Sequence, residues 1–244
     1  MSAHDVKLFG DAIAASRLEH RFARVKASSL VRLAIEDLFP GRIALVSSFG
    51  ADSAVLLHMV AGVDKKTPVV FVDTGQHFAE TLAYRDALCA RLGLEDVVVA
   101  EPDPTLLAAE DPERFLFAGD PDRCCEIRKV LPLAKALERY EAWITGRKGF
   151  QSATRARVPL FEAEGERVKV NPLVGWSASD LLNYIREADL PPHPLVAKGF
   201  PSIGCLPCTS PVRPGEDSRA GRWRGRGKTE CGIHGEPLSL GQDI

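Results

Sequence analysis

The sequence predicts an α/β protein: a parallel sheet flanked by helices on both faces, then an irregular Cys/Arg-rich C-terminal segment. Two observations carry this. Between residues 41 and 146, short apolar runs alternate with stretches of helical spacing. "RIALVSS" is followed by "SAVLLHMV", "TPVVFVDTG" by "FAETLAYRDALCARLG", and "EDVVVAE" and "EAWITG" come after. Strands and helices in alternation imply parallel pairing with crossover helices. Beyond residue 170 the periodicity breaks down. One helix remains there, "SASDLLNYIREADL", with Ser177 placed as its cap and Asp180 as its first-turn acid. Ahead of the sheet, "SSLVRLAIEDLF" carries an amphipathic stripe. The expected organisation is an N-terminal helical segment over 1–40 and an α/β unit over 41–204. A C-terminal segment over 205–244 completes the same domain.

With 244 residues, 45% hydrophobic and 26% charged, the chain has the composition of a soluble globular protein. Its net charge of −2 argues against bulk binding of nucleic acid, so any cationic function must be local. No apolar run approaches the length that spans a bilayer, which argues against a membrane partner, and "MSAHDVKLFGDA" lacks the regions of a signal peptide. The expected location is cytoplasmic. There, six cysteines are better read as metal ligands or catalytic groups than as disulfides.

The strand ends are the first candidate site. In "RIALVSSFGADSAVLLHMV", Gly50 is expected to supply a positive φ, with Ser47, Ser48 and Ser53 as hydroxyl donors around it. The helix that follows offers free N–H groups to an anion. Neither a Walker A loop nor GxGxxG is present, and a plain strand-to-helix turn reads the same way. "VVFVDTG" adds Asp73 and Thr74, and "AWITGRKGF" adds Gly146, Arg147 and Lys148, at the ends of neighbouring strands. Ligands of open α/β sheets collect at such ends, and together the three favour a nucleotide site.

The cysteines are the second. Cys124-Cys125 and Cys205-Leu-Pro-Cys208 supply four thiolates, which suit zinc or an iron–sulfur cluster. An adjacent pair is awkward around one small ion and easier on the corners of a cubane. Arg123, Arg128 and Lys129 lie beside the pair, with Asp120 or Asp122 as the cap of a short helix. Cys89 lies on an amphipathic helix and reads as an inert core thiol. Cys231 stands apart: it follows Arg213, Arg219, Arg222, Arg224, Arg226 and Lys228 and precedes His234 by three residues. Cationic surroundings favour a thiolate nucleophile. On composition alone a basic tail is an equal reading.

Taken together, "SSFGADS", "FVDTG", "WSASDLLNYI", "SIGCLPCT", "GRW" and "ECGIH" resemble the assimilatory sulfonucleotide reductases. Within them, the likeness is to the thioredoxin-dependent adenylyl-sulfate reductases of the PP-loop superfamily. The resemblance runs from about residue 40 to residue 236. It implies an adenine-nucleotide α-hydrolase-like, Rossmann-like fold and a role in sulfate assimilation and cysteine biosynthesis. It also implies that adenosine 5′-phosphosulfate (APS) is reduced to sulfite and AMP. The Cys231 thiolate would attack the sulfate sulfur and form an S-sulfonate, which thioredoxin or glutaredoxin resolves. By the same resemblance a 4Fe–4S cluster sits on Cys124, Cys125, Cys205 and Cys208. Lys129, Arg219, Arg222 and His234 would be cationic or donor contacts to the substrate. Ser47, Ser48, Gly50, Asp52, Ser53, Asp73, Thr74, Gly146 and Arg147 would hold the nucleotide. The glycines around 221–232 suggest a mobile tail closing over it.

Three other readings compete. The first is a reductase for the 3′-phosphorylated nucleotide (PAPS), or for both nucleotides; such enzymes generally lack the cluster cysteines. The others are a PP-loop adenylating enzyme of tRNA thiolation and a zinc module that binds nucleic acid. The sequence is silent on oligomeric state, and a homo-oligomer is compatible with it.

Overall fold

The protein is described here as a computed structural model, covering residues 12–151 and 155–234. The start of the expected N-terminal helical segment, residues 1–11, lies outside the described residues, as does the end of the C-terminal segment, residues 235–244. Six strands form one sheet: β1 (Ile43–Val46), β2 (Val69–Val72), β3 (Val97–Ala100), β4 (Ala142–Ile144), β5 (Phe161–Glu164) and β6 (Arg167–Val170). Their order is β3-β2-β1-β4-β6-β5. The first five in that order pair in parallel, with Leu45 opposite Val69 and Ala142 opposite Val168. β5 runs antiparallel to β6 at one edge, with Phe161 opposite Val170. The sheet is therefore mixed and mostly parallel, where the sequence led us to expect a parallel one.

The apolar runs became strands because both faces of the sheet are covered. Ile43, Leu45 and Phe71 point into the larger core with Leu30, Val55, Leu57 and Leu88. Ala44, Val70 and Trp143 face the other way, onto Leu133, Leu137 and Tyr140. The larger core is supplied by α1 (Ala12–Phe22), α2 (Ala27–Leu33), α3 (Ser53–Ala61), α4 (Ala79–Leu92) and α9 (Ala178–Glu187). Between β3 and β4 run α5 (Pro104–Glu110), α6 (Leu116–Gly119), α7 (Pro121–Cys125) and α8 (Leu131–Leu137). A π-helical stretch, Glu126–Val130, joins α7 to α8. The start of α9 is the expected capping box: the Ser177 hydroxyl accepts from Asp180 N–H, and the Asp180 carboxylate accepts from Ser177 N–H.

The connections fix where a ligand can sit. From β1 the chain crosses to β2 and β3 on one side, whereas β4 lies on the other. The order thus reverses beside β1, and a crevice opens over the C-terminal ends of β1, β2 and β4.

The edge hairpin was not read from the sequence. "FEAEGERVKV" alternates with period two around Gly165 (φ +56°), but its charges obscure the pattern. Lys169 is fully buried beneath Glu162 and Glu164, at 3.1 and 2.6 Å. Its ammonium also lies 5.3 Å from the Trp143 ring centroid. Lys169→Ala would leave Glu164 without its cation and Glu162 with Arg147 alone. Denaturant unfolding should show a loss of about 3 kcal/mol; an unchanged midpoint would remove this network from the fold's support.

Candidate functional site

Three strand ends form the floor. After β1 the chain turns through Phe49, which adopts φ +48° while fully buried. Its ring packs edge-on against Phe71 at 5.6 Å, and its N–H donates to Ser47 Oγ at 3.2 Å. The left-handed residue of this loop is therefore Phe49 and not Gly50, a correction to the sequence reading. Gly50 has an ordinary φ, and an added Cβ there would meet Ile203 O at 3.5 Å. Packing of the aromatic ring holds a conformation that a non-glycine residue rarely takes. Asp52 does not cap α3. Its carboxylate accepts from buried Lys148 Nζ at 3.1 Å.

At the end of β2, Asp73 Oδ1 accepts from Gly75 N–H at 2.9 Å. Asp73 closes that turn and does not line the cavity. Thr74 Oγ1 lies 3.3 Å from Cys205 Sγ. At the end of β4, buried Arg147 donates to Glu162 Oε2 at 2.8 Å and to Asn171 Oδ1. Above this floor lies a cavity of about 220 Å³. Ser47, Ser48, Gly50, Asp52, Ser53, Thr74, Gly146 and Arg147 line it, together with Lys129, Arg219, Arg222, Cys231 and His234. Apart from Asp73, every substrate and nucleophile residue read from the sequence converges there.

The C-terminal segment forms the roof. Its cations are fewer at the cavity than the sequence suggested, because several are committed elsewhere. Arg224 pairs with Glu216 at 2.8 Å, Arg226 donates to the Phe117 carbonyl, and Lys228 pairs with Asp122. Arg219 and Arg222 remain. The Arg222 guanidinium lies over Trp223 at 4.5 Å and donates to Ile203 O at 3.2 Å. It packs so closely on Gly204 that an added Cβ would stand 2.2 Å from its Nη2.

Sequence reasoning missed Arg155, Glu230 and His77, all on the cavity wall. Arg155 grips Glu230 with two bonds of 2.7 and 2.8 Å, and Arg219 Nη2 reaches the same carboxylate at 3.3 Å. Seventy-five positions separate Arg155 from Glu230, so no local pattern announces the pair. His77 Nε2 bonds the Val72 carbonyl at 3.0 Å. Burial lowers its pKa. His234 stacks on Trp143 with centroids 5.6 Å apart. Burial holds its pKa well below the ordinary value, reinforced by Arg147, Lys169, Arg155 and Arg219. It lines the cavity.

The thiols meet at one side of this roof. Asp120 caps α7, as expected, accepting from the N–H groups of Asp122 and Arg123. Cys124, Cys125 and Cys205 are buried, and Cys208 is half-buried. Arg123 is taken by Glu110 and Glu126, and buried Arg128 by Asp111 at 2.6 Å. Lys129 is left to face the sulfurs. Burial works to lower its pKa, but Cys205, Cys231 and Cys125 together raise it. Burial pushes the Cys124 thiol up to about 12 and that of Cys125 to about 11. Burial also opposes ionisation of Cys205, yet Lys129, the Thr74 hydroxyl and Arg222 bring its pKa below the ordinary value. Among the described residues, no three His, Cys, Asp or Glu side chains form a group that could hold a metal ion.

Residues 42–211 match the family described as the phosphoadenosine phosphosulfate reductase domain. The chain belongs to this family. It is 56% identical over 223 residues to a protein of Chelativorans sp. named adenosine 5′-phosphosulfate reductase, covering 91% of each chain. A Mesorhizobium japonicum protein of the same name is 52% identical, with 92% and 89% covered. One from Mycobacterium tuberculosis is 46% identical, with 78% and 75% covered. Among solved structures, the phosphoadenylyl-sulfate reductase of Candida auris, a phosphate complex, superposes with a TM-score of 0.69 at 23% identity. It covers 83% of this chain and 98% of its own. The FMN adenylyltransferase of Candida glabrata shares the fold at a TM-score of 0.52 and 16% identity, with 83% and 74% covered. Both support the expected PP-loop-like architecture of this reductase-family chain.

Gly204 gives a direct test of the roof. Gly204→Ala should push the Arg222 side chain out of its seat without altering the core. Substrate KM should rise roughly tenfold, about 1.4 kcal/mol, at nearly unchanged Tm; an unchanged KM would show that Arg222 does not hold substrate from this position.

Proposed function

We propose that this reductase-family chain acts on adenosine 5′-phosphosulfate, releasing AMP and sulfite through a sulfonate on Cys231. The observation that carries the reading is the convergence of Cys231, a thiol outside the four paired cysteines, with Lys129, Arg155, Arg219 and Arg222 on the wall of a cavity over the strand ends. The names borne by relatives at 43–56% identity support the same substrate.

The chemistry follows from charge. The phosphosulfate is an anion, and a thiolate must approach it. Cations fixed before the reaction cancel that repulsion and stabilise charge developing on the leaving phosphate. Cys231 Sγ attacks the sulfate sulfur; a sulfur–sulfur bond forms, the bridging S–O bond breaks, and AMP departs with the electron pair. The thiolate of a protein dithiol then attacks Cys231 Sγ, and sulfite leaves with the pair from the sulfur–sulfur bond. The second thiol resolves the mixed disulfide, restoring Cys231. Thioredoxin or glutaredoxin fits this part, and a cytoplasmic site accords with such a reductant. No helix of the described residues is long and apolar enough to cross a membrane.

The nucleotide rests on the ends of β1, β2 and β4, with Ser47, Ser48 and Ser53 offering hydroxyls and the start of α3 its positive dipole end. Arg155 and Arg219 are held at the cavity by Glu230, which fixes the guanidinium groups that would meet the phosphosulfate. His234 contributes the face of its ring, stacked on Trp143.

Cys124, Cys125, Cys205 and Cys208 would hold a 4Fe–4S cluster. All four donors are thiols, three of them are buried, and the field of Cys205 acts on Cys124, Cys125 and Cys208. Lys129, which among the described residues forms no ion pair with a carboxylate, faces them. Bound there, such a cluster would supply a fixed anionic centre beside Lys129, which lines the cavity.

Mass spectrometry of the protein mixed with APS, without reductant, should show one sulfonate on Cys231, and Cys231→Ser should abolish both this adduct and sulfite release. Sulfite release by the serine variant would take Cys231 out of the mechanism. Turnover of PAPS in preference to APS would reassign the substrate. Cys205→Ser should lose iron and the brown absorbance near ~400 nm; full iron content would overturn the ligand assignment.

A further inference from the structure

Trp143, in β4 between β1 and β6, is 1% exposed and yet lines the cavity. Its partners in register are Ala44 on β1 and Lys169 on β6, and Lys169 in turn faces Glu162 on β5. Side chains in register share one face of a sheet. The indole therefore lies in a row between a methyl group, which leaves it room, and a buried ammonium. Its orientation is fixed twice. Nε1–H donates to Glu164 Oε2 at 2.8 Å, and Lys169 Nζ lies 5.3 Å from the ring centroid. Glu162 and Glu164 hold Lys169 in turn.

The tail comes to rest on this ring. His234 stacks on the indole with planes 5° apart and centroids 5.6 Å apart. Ile233 packs against the core patch that contains Trp143, Leu133 and Leu137. Only Gly232 separates Ile233 from Cys231, and its φ of +87° bends the chain beside Val130. Three residues of chain reach at most about 11 Å. Where His234 is seated thus limits where the Cys231 thiol can be.

We propose that Trp143 is a positioning residue of this site: its indole, locked by Glu164 and Lys169, is the seat on which Ile233 and His234 dock, and this docking sets Cys231 Sγ at the cavity. The inference rests on the reading of Cys231 as the thiol that takes the sulfonate.

The two flanks of Cys231 are held by different forces. On one side Arg155 and Arg219 grip Glu230, and Arg219 also donates to Thr229 O at 2.8 Å. On the other side the hold is an aromatic face and a branched apolar side chain. Ring stacking sets orientation as well as distance. Orientation matters for a thiol that must attack in line, since a displacement of ~1 Å can cost about a hundredfold in rate. The seat also gives the buried charges of the edge hairpin a task. Burying Lys169 is costly unless it is paired, and the pairing that satisfies it immobilises the ring.

The test uses the full-length, iron-loaded protein. Trp143→Leu removes the flat ring, and Trp143→Phe keeps one. Mass spectrometry of the peptide carrying Cys231 reads two rates: alkylation by iodoacetamide without nucleotide, and sulfonate formation at saturating APS without reductant. In Trp143→Leu, alkylation should rise roughly fivefold or more as the tail leaves its seat. Sulfonate formation should slow roughly tenfold or more. Trp143→Phe should stay within about threefold of wild type in both. Ile233→Ser alters the tail and leaves the sheet untouched, and it should raise Cys231 alkylation even if Trp143→Leu does not fold. Wild-type alkylation of Cys231 in these variants would overturn the proposal. So would slower sulfonate formation at unchanged alkylation, since the indole would then act on the nucleotide alone. Alkylation of Cys89 on α4 should keep its wild-type rate; a matching rise there would overturn the proposal by placing the loosening in the fold as a whole. Failure of the wild-type protein to form any sulfonate would instead remove the reading of Cys231 as the sulfonated thiol, while the alkylation rates would still report the seat.

Discussion

The site depends on how positive charge is held in place at the end of a sheet. Arg147, Lys148, Arg155 and Arg219 all line the cavity, and each is joined to a carboxylate: Glu162, Asp52 and, for the last two, Glu230. Unpaired cations packed this tightly would repel one another and would be costly to desolvate. Among the described residues, Lys129 and Arg222 form no ion pair with a carboxylate. One faces thiols, and the other lies over an indole and against Gly204. The cavity is therefore a set of counter-charged cations plus two whose compensation comes from sulfur and from an aromatic face.

The fold serves this arrangement from beneath. Buried Lys169, held by Glu162 and Glu164, supports Trp143 from the edge hairpin, and His234 stacks on the same indole. Arg147 shares Glu162 with Lys169. A charge network inside the sheet edge thus continues, through an aromatic ring, to the residue three positions after Cys231. It explains why the protein buries so polar a hairpin next to an otherwise apolar sheet.

Much of this was legible in the residues. β1 to β4 are apolar runs between turns, α9 announces itself through Ser177 and Asp180, and the cysteines stand out by type and spacing. What escaped has physical reasons. β5 and β6 carry charges that look like a solvated loop until their partners are known. The turn after β1 was assigned to Gly50 because glycine takes φ > 0 without strain, whereas packing against Phe71 holds Phe49 there instead. The basic tail was over-read: whether Arg224, Arg226 or Lys228 faces a ligand depends on Glu216, Phe117 and Asp122, which no local pattern reveals. Arg155 went unnoticed for the same reason, its partner lying far along the chain.

Glu230 is bonded through the backbone to Cys231, and its carboxylate occupies two guanidinium groups that face the cavity. The resting protein therefore carries its own counter-ion at the spot where an incoming oxyanion is most strongly attracted. Because that carboxylate belongs to the immediate neighbour of Cys231, the pairing of Arg155 and Arg219 and the position of the thiol are tied to one backbone step.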